Sequence, residues 1–383
     1  MNPIDELRAA RPAHLDDDRP IDPRTRAAEL SRAMSVPRPA PRQARRRGGA
    51  VRPAWGLAGA AAAVTAAAVA LSMNGTAPAP RPPAGSPASV PSAQKVTLSA
   101  RDVLLAAAAK ADRQSDGSGA YWHSVSVSRN LFTAAQGGYL VMDQERNEGW
   151  TPRATGADQK QWSRAQPLGA RPVTEQDRQA WERAGSPAGI KVTVPGKGRG
   201  DLVLSTSPGK VSSGHMPLVD GDKVFWLGRN VTMKDLLGLP SDPGKLKRWL
   251  RASYEGHDTE SSSVPMSEEA WLFRVSMGLI MDMPVTPEVR GAAFRMLAEL
   301  DGVKVIENVT DAEGRRGTAV AIKEHTQGNG VSENRLIFDE ATGRALANEN
   351  VVVKPGGFQA GFEPGMVWNS NALIEARWTD AKP

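Results

Sequence analysis

An uncharged run, residues 54–73, constrains this 383-residue chain more than any other feature. A helix rises about 1.5 Å per residue, so about 20 residues cross a bilayer core roughly 30 Å thick. Alanine supplies ten of the 20 residues and is only marginally apolar, and Trp55 stands where an interfacial anchor belongs. The run predicts a transmembrane helix. The alternatives are a buried alanine-rich helix and a cleaved signal peptide.

Charge is distributed unevenly on the two sides of this run. Residues 1–53 hold 12 arginines and seven acidic residues, whereas the rest of the chain holds 36 basic and 35 acidic residues. Because Arg and Lys stay on the cytoplasmic side during insertion, the N-terminus is predicted inside and the bulk of the chain outside. A leader of 53 residues is too long for a cleaved signal peptide. The pattern therefore favours an uncleaved signal anchor in the plasma membrane.

Composition excludes several classes of function for the outer part. The net charge of +6 comes mainly from residues 1–53, so the outer part has no basic surplus that would indicate nucleic-acid binding. The chain has no cysteine, which excludes disulfides, thiolate nucleophiles and cysteine-ligated zinc.

The segment predicted to be cytoplasmic, residues 1–53, is mostly disordered in composition, with short helices. Asp22-Pro23 is typical of a helix start, and a helix from there to Met34 places Ala27, Leu30 and Met34 along one side. These three residues form a candidate docking surface for a cytoplasmic partner. Residues 74–95 contain six prolines and predict an extended spacer between the membrane and the outer domain.

Residues 96–383 show the patterns of a globular domain. Ser99 and Asp102 form a capping-box-like start for a helix that ends near Asp112. From Tyr121 onward, apolar and polar residues alternate as they do in strands. Three more helix starts are indicated by capping residues, two of them followed by proline, at Asp242-Pro243, Ser267-Glu268-Glu269 and Thr286-Pro287-Glu288.

Strands return after the third of these helices. Turns at residues 311–314 and 339–343 separate runs of hairpin length, which indicates antiparallel pairing. The element order is helix, antiparallel strands, helices, antiparallel strands. It predicts an α+β domain in which helices cover one face of a curved antiparallel sheet.

The sequence shows no catalytic or metal-binding motif, which predicts a protein that is not an enzyme and holds no cofactor or metal. The five histidines include no pair at metal-ligand spacing, and neither His-Glu-x-x-His nor Gly-x-Ser-x-Gly occurs. The most suggestive apolar group is Trp271 with Met277, Met281 and Met283, because methionines adapt to varied apolar surfaces. It is a candidate apolar ligand face, with core filling as the alternative.

Several motifs resemble those of one family. They are Asp5-Glu6-Leu7-Arg8-Ala9-Ala10-Arg11-Pro12, the short acidic stretch, the basic-flanked alanine-rich span, Leu239-Pro240-Ser241-Asp242-Pro243, the helix from Thr286-Pro287-Glu288 into Leu300-Asp301-Gly302-Val303, and Phe338-Asp339 with Thr342-Gly343. Together they resemble an uncharacterised actinobacterial family of single-pass membrane proteins often encoded beside extracytoplasmic-function sigma factors. The resemblance implies a membrane-bound regulator of such a factor. The element order of the outer domain is also similar to the half-barrel of lipoprotein carriers.

Three hypotheses about function follow. In the first, the chain is a non-enzymatic transmembrane sensor whose outer domain binds an envelope ligand and whose inner segment contacts a sigma factor. In the second, it is a membrane-anchored carrier or scaffold for apolar envelope molecules such as a lipid or lipoprotein. A hydrolase with a site that shows no motif is the third. The predicted partners are the membrane, a sigma factor and an envelope lipid or lipoprotein, with no nucleic acid.

Overall fold

The computed structural model describes residues 99–193, 202–226, 229–259, 264–326 and 330–381. The predicted cytoplasmic segment, transmembrane helix and spacer, residues 1–53, 54–73 and 74–95, lie outside the described residues, as does the candidate docking surface of Ala27, Leu30 and Met34. None of the helices that the structure describes combines the length and the apolar character that a bilayer crossing needs.

Helices and strands alternate in blocks. The first block contains α1 (Ala100–Ala111), β1 (Tyr121–Ala134), β2 (Leu140–Pro152), β3 (Lys160–Pro167), β4 (Arg171–Pro172), α2 (Glu175–Arg183), β5 (Gly189–Thr193), β6 (Leu202–Ser205), β7 (Ser212–Pro217), β8 (Lys223–Trp226) and β9 (Arg229–Thr232). A helical block follows with α3 (Met233–Leu237), α4 (Pro243–Arg251), α5 (Glu268–Met281) and α6 (Pro287–Leu297). The last block contains β10 (Lys304–Thr310), β11 (Arg316–Thr326), β12 (Gly330–Phe338), β13 (Ala345–Pro355), a 3-10 turn (Gly357–Gln359) and β14 (Val367–Thr379).

Twelve of the strands form one curved sheet in the order β10-β11-β12-β13-β14-β1-β2-β3-β7. Strand β4 pairs with β2, β5 pairs with β1 and β6, and all of these pairs are antiparallel. The prediction of an α+β domain with a large curved antiparallel sheet is confirmed. Strand β14, the last in the chain order, lies inside the sheet between β13 and β1.

The helix starts follow from local capping. Ser99 and Asp102 form a complete capping box at α1, and Ser267 caps α5 through the backbone N–H of Ala270. Thr286 caps α6, with Pro287 in its first turn. These predicted starts are confirmed. Each cap satisfies a backbone donor that a helix end would otherwise leave without a partner.

The main core joins the helices α1, α4, α5 and α6 to one face of the sheet. Helix α5 buries 11 of its 14 residues, in line with its apolar sequence. The largest fully buried side chains include Phe273 and Phe294 from helices and Trp122 and Phe338 from strands. Burying an aromatic side chain of this size stabilises the fold by about 1.5–3 kcal/mol. The Trp122 Nε1–H donates to the carbonyl oxygen of Asp282 at 2.6 Å, which satisfies the polar end of the ring.

The opposite face of the sheet carries a second, smaller cluster. It consists of Ala319, Ile337, Ala347 and Ala372, and Ile306 and Val309 of β10 pack against it. A register shift between Ile306 and Val309 interrupts the pairing of β10 with β11.

Helices α1 and α6 approach each other closely at Gly291. A Cβ atom at this position would lie 3.0 Å from the Ala108 carbonyl oxygen and would collide with the Asp112 carboxylate. We expect Gly291→Ala to lower the free energy of unfolding by about 1–3 kcal/mol, measured by urea denaturation. Gly244→Ala is the matched control in α4, where the nearest atom lies 3.5 Å away. It should leave stability unchanged or raise it by up to about 1 kcal/mol, and an equal loss in both variants would contradict the close packing.

Candidate functional site

A cleft of about 450 Å³ lies between the helical block and the sheet. Its walls come from the loop that joins α1 to β1, the C-terminal end of α5, the start of α6, the turn between β10 and β11, the turn between β12 and β13 with the start of β13, and β14. Six separate parts of the chain therefore meet around one space. Such a volume is within the range of pockets that hold small ligands.

The cleft exists because β14 extends beyond the end of its neighbour β13. The last residue pair between β13 and β14 is Ala347 with Ala372, so residues 373–379 pair with β1 alone. A register shift on the β1 side leaves Ile374 outside the pairing, with 42% of its surface exposed. The open edge borders the cleft along its length.

Two contacts protect this edge from pairing with another strand. Arg315 donates from Nη1 to the carbonyl oxygen of Leu373 at 2.7 Å. At the other end, the Trp378 N–H donates to the carbonyl oxygen of Asp116 at 2.9 Å. Together with the bulge at Ile374, these contacts occupy or distort the groups that an added strand would need. The edge is therefore protected against strand addition.

One side of the cleft is apolar. Ile280 and Met281 reach it from the end of α5, and Leu346, Leu373 and Trp378 reach it from the sheet. The Trp378 ring makes an edge-on contact with Trp122, with 5.4 Å between the ring centroids, and this contact fixes the orientation of the indole. The apolar side is thus held in place by the main core.

Arginines also line the cleft. Four arginines line it, and three have a carboxylate partner: Arg290 with Asp116, Arg315 with Asp311, and Arg377 with Glu375. The fourth, Arg344, is exposed and donates from Nη2 to the carbonyl oxygen of Ser115 at 3.0 Å. Asp339 also lines the cleft, but its carboxylate accepts from the Ala341 N–H and the Thr342 hydroxyl within its own turn.

The deepest of these pairs is Arg290 with Asp116. Their side chains are 5% and 7% exposed, and Nη1 lies 2.5 Å from Oδ2. Arg290 also donates from Nη2 to the Val285 carbonyl oxygen at 3.1 Å and lies over the Trp122 ring. Burial lowers the pKa of Arg290, and the neighbouring Asp116 carboxylate opposes that shift. The pair forms a rigid polar floor under the cleft.

The predicted apolar ligand face is placed as follows. Trp271, Met277, Met281 and Met283 all belong to the main core cluster, each at most 4% exposed. Of the four, Met281 lines the cleft, while the Trp271 ring packs against Tyr254. The structure therefore brings one predicted residue to the cleft and packs the other three in the main core. The ligand role stays a prediction.

Sequence reasoning missed the polar half of the cleft. Arg290 lies on a helix that was predicted from its capping residues, and Asp116 lies in the loop that follows the first predicted helix. No spacing rule connects these two residues, which are far apart in the chain. The signal available in the sequence was its unusual number of tryptophans. There are ten tryptophans, including Trp378, against three tyrosines.

The polar groups that line the cleft are mostly engaged with one another. Its lining includes no histidine, and its carboxylates are engaged by arginines or by their own turn. Throughout the part of the chain that the structure describes, no three His, Asp or Glu side chains are grouped so that they could hold a metal ion. A cleft lined by apolar side chains and by arginines can hold a molecule that has one apolar and one anionic part.

Comparison with known proteins gives little further information. No family model and no curated protein matches the chain. Among solved structures, the crystal structure of a LolA superfamily protein from Nitrosomonas europaea is similar at 8% identity and a TM-score of 0.15. The match covers 75% of this chain and 96% of that chain. A likeness this weak supports no statement about a shared ligand or activity.

Proposed function

We propose that the chain is a non-enzymatic membrane sensor or regulator. Its outer domain, the part that the structure describes, binds an envelope ligand in the cleft beside β14. The cleft carries this proposal, since its volume of about 450 Å³ is lined by apolar residues of the core and by four arginines. Pockets of this size with a few convergent polar groups are the usual sites of small-molecule binding.

The arginines restrict what the ligand can be. Arg290, Arg315 and Arg377 are neutralised by carboxylates, whereas Arg344 has no carboxylate partner among the described residues. A ligand with an anionic group would pair with Arg344 and lay its apolar part against Met281 and Leu373. Such a ligand combines features of the lipids and lipoproteins of an envelope.

The topology of the proposed sensor comes from the sequence. Residues 54–73 form a signal anchor in the plasma membrane, residues 1–53 lie inside, and residues 74–95 hold the outer domain away from the bilayer. The inner segment then contacts a cytoplasmic sigma factor through Ala27, Leu30 and Met34. The resemblance to the actinobacterial single-pass family supports this partner.

A carrier or scaffold is the second candidate, and the same cleft favours it. In that case the membrane helix is an anchor, and the outer domain holds an envelope lipid or lipoprotein without signalling. The two candidates differ in what the inner segment does, because a sensor needs it and a carrier does not.

A reporter of sigma-dependent transcription separates the two candidates in intact cells. Ile374→Trp places a large ring in the cleft at a position that is 42% exposed, so that the core is left unchanged. For a sensor, we expect both Ile374→Trp and deletion of residues 4–34 to change reporter output. Val211→Trp is the matched control, since Val211 is an exposed apolar residue that does not line the cleft.

The outcomes are distinct. A carrier predicts that the deletion leaves the reporter unchanged. No change in either variant, with both proteins present at wild-type level, would remove the sensor proposal. Equal changes in Ile374→Trp and Val211→Trp would show that the effect does not come from the cleft.

A further inference from the structure

A row of polar side chains crosses the face of the sheet opposite the main core. In register from β12 to β2 it consists of Arg335, Glu349, Ser370, Arg129 and Gln144. Each residue lies directly across from the next on the neighbouring strand. Since strands lie about 4.8 Å apart, the row spans roughly 19 Å of one surface.

Of the charged side chains in this row, that of Glu349 has the weakest pairing with a partner. Its side chain is 5% exposed, and its Oε2 lies 3.8 Å from Nη1 of Arg335, which is too long for a hydrogen bond. Arg335 itself is paired with Glu333 at 2.9 Å. On the other side of Glu349, the Ser370 hydroxyl and the Arg129 Nη1 are buried and have no hydrogen-bond partner in the described structure.

The turn between β10 and β11 is tied to the row by charge. Arg129 pairs through Nη2 with Glu313 at 2.5 Å. In the same turn, Asp311 accepts from the Glu313 and Arg315 N–H groups and pairs with the Arg315 guanidinium. The turn is therefore held together by its own hydrogen bonds, and the ion pair between Glu313 and Arg129 connects it to β1.

The same turn forms a wall of the cleft. Arg315 donates to the carbonyl oxygens of Leu346 and Leu373, both at 2.7 Å, and all three residues line the cleft. Any movement of the turn that separates Arg315 from these carbonyl oxygens would open the protected edge of β14. The polar row and the cleft are thus joined through one short segment, residues 311–315.

We propose that the protonation state of Glu349 controls how tightly the β10–β11 turn closes the cleft. The inference rests on the proposed ligand role of the cleft for its biological meaning, but the coupling itself is a property of the domain. Neutral Glu349 leaves Arg129 paired with Glu313. An ionised Glu349 attracts Arg129, whose Nη1 is free, and so competes with Glu313 for the guanidinium.

The surroundings of Glu349 place its titration in the physiological range. Burial raises the pKa of Glu349 to about 7; the Arg335 guanidinium opposes this shift and the Asp311 carboxylate adds to it. The other charged groups nearby are paired, Glu333 with Lys304 and Arg335, and Arg129 with Glu313. With a pKa near 7, the ionised fraction rises about tenfold between pH 6 and pH 8.

Hydrogen–deuterium exchange on the full-length chain tests this coupling without any ligand. The reporters are the amides of Asp311, Glu313, Gly314 and Arg315, which are hydrogen-bonded within the turn. After correction for intrinsic rates, we expect their exchange to rise up to about tenfold from pH 6 to pH 8 in the wild type. Glu349→Gln should exchange slowly at both pH values, and Arg129→Gln fast at both.

Glu307→Gln is the control, since Glu307 is an exposed acid on β10 and should keep the wild-type pH dependence. A pH dependence that survives in Glu349→Gln, or is absent from the wild type, would overturn the proposal. The experiment contains no ligand, so the coupling and the proposed function can fail separately. If exchange depends on pH but the protein binds no ligand, the proposed function is refuted and the coupling stands.

Discussion

Arg290→Ala is expected to lower the free energy of unfolding by about 3–5 kcal/mol, because it leaves a buried carboxylate without its cation. The Arg290 and Asp116 side chains are 5% and 7% exposed, with 2.5 Å between Nη1 and Oδ2. The variant also loses the hydrogen bond to the Val285 carbonyl oxygen and the contact with the Trp122 ring. Chemical denaturation at pH 7, followed by tryptophan fluorescence, measures the loss.

Arg295→Ala is the matched control on the same helix. Arg295 pairs with Asp112 in the same region, but these side chains are 32% and 29% exposed. Solvent screens such a pair, so we expect a loss of about 1 kcal/mol or less. A second variant, Arg290→Met with Asp116→Leu, removes both charges and should recover most of the stability. Equal losses for Arg290→Ala and Arg295→Ala would contradict the buried position of the cleft floor.

Glu349→Gln is expected to raise stability at pH 8 and to leave it nearly unchanged at pH 4. Burial raises the folded-state pKa of this carboxyl from 4.5 to about 7. Between these values the native protein keeps a proton that the unfolded chain releases, so stability falls as pH rises. Above pH 7 the ionised, buried group costs up to about 3 kcal/mol, which the neutral glutamine does not.

Denaturation curves from pH 4 to pH 9 test this expectation. The variant should show a smaller decrease of unfolding free energy with pH than the wild type. A residual decrease will remain, since burial also raises the pKa of Asp282 to about 7. Parallel pH profiles for the two proteins would show that Glu349 does not titrate in this range.

Local signals predicted the helices well. The Thr286-Pro287 pair marked the start of α6, and the structure begins that helix at Pro287 with Thr286 as its cap. Capping involves residues within four positions of each other, so the sequence alone contains the information. The nearly continuous apolar sequence of α5 likewise predicted a helix covered on most sides, as found.

The order of the strands in the sheet could not be predicted from local signals in the sequence. Alternation in β1 placed Trp122 on one face, but nothing near it in the chain shows that Trp378 lies opposite. The pairing of β1 with β14 joins residues more than 200 positions apart. Strand β7 was missed altogether, because its sequence, Ser212–Pro217, is exposed along most of its length and lacks apolar alternation.

The cleft was unpredictable for the same reason. Its arginines were not predicted as site residues, since a single helix or turn does not show which carboxylate will approach it. Met281 was predicted as a ligand-facing residue through its chemical type, and it does line the cleft. Its companions Trp271, Met277 and Met283 share that chemistry but pack in the core.

The central claim, that the cleft beside β14 holds a ligand, is tested most directly by native mass spectrometry. The full-length chain is purified from its own cells without delipidating detergent, as wild type, Ile374→Trp and Val211→Trp. The account predicts a bound mass on the wild type and on Val211→Trp that is lost from Ile374→Trp. The same bound mass on all three proteins, or none on the wild type, would contradict it.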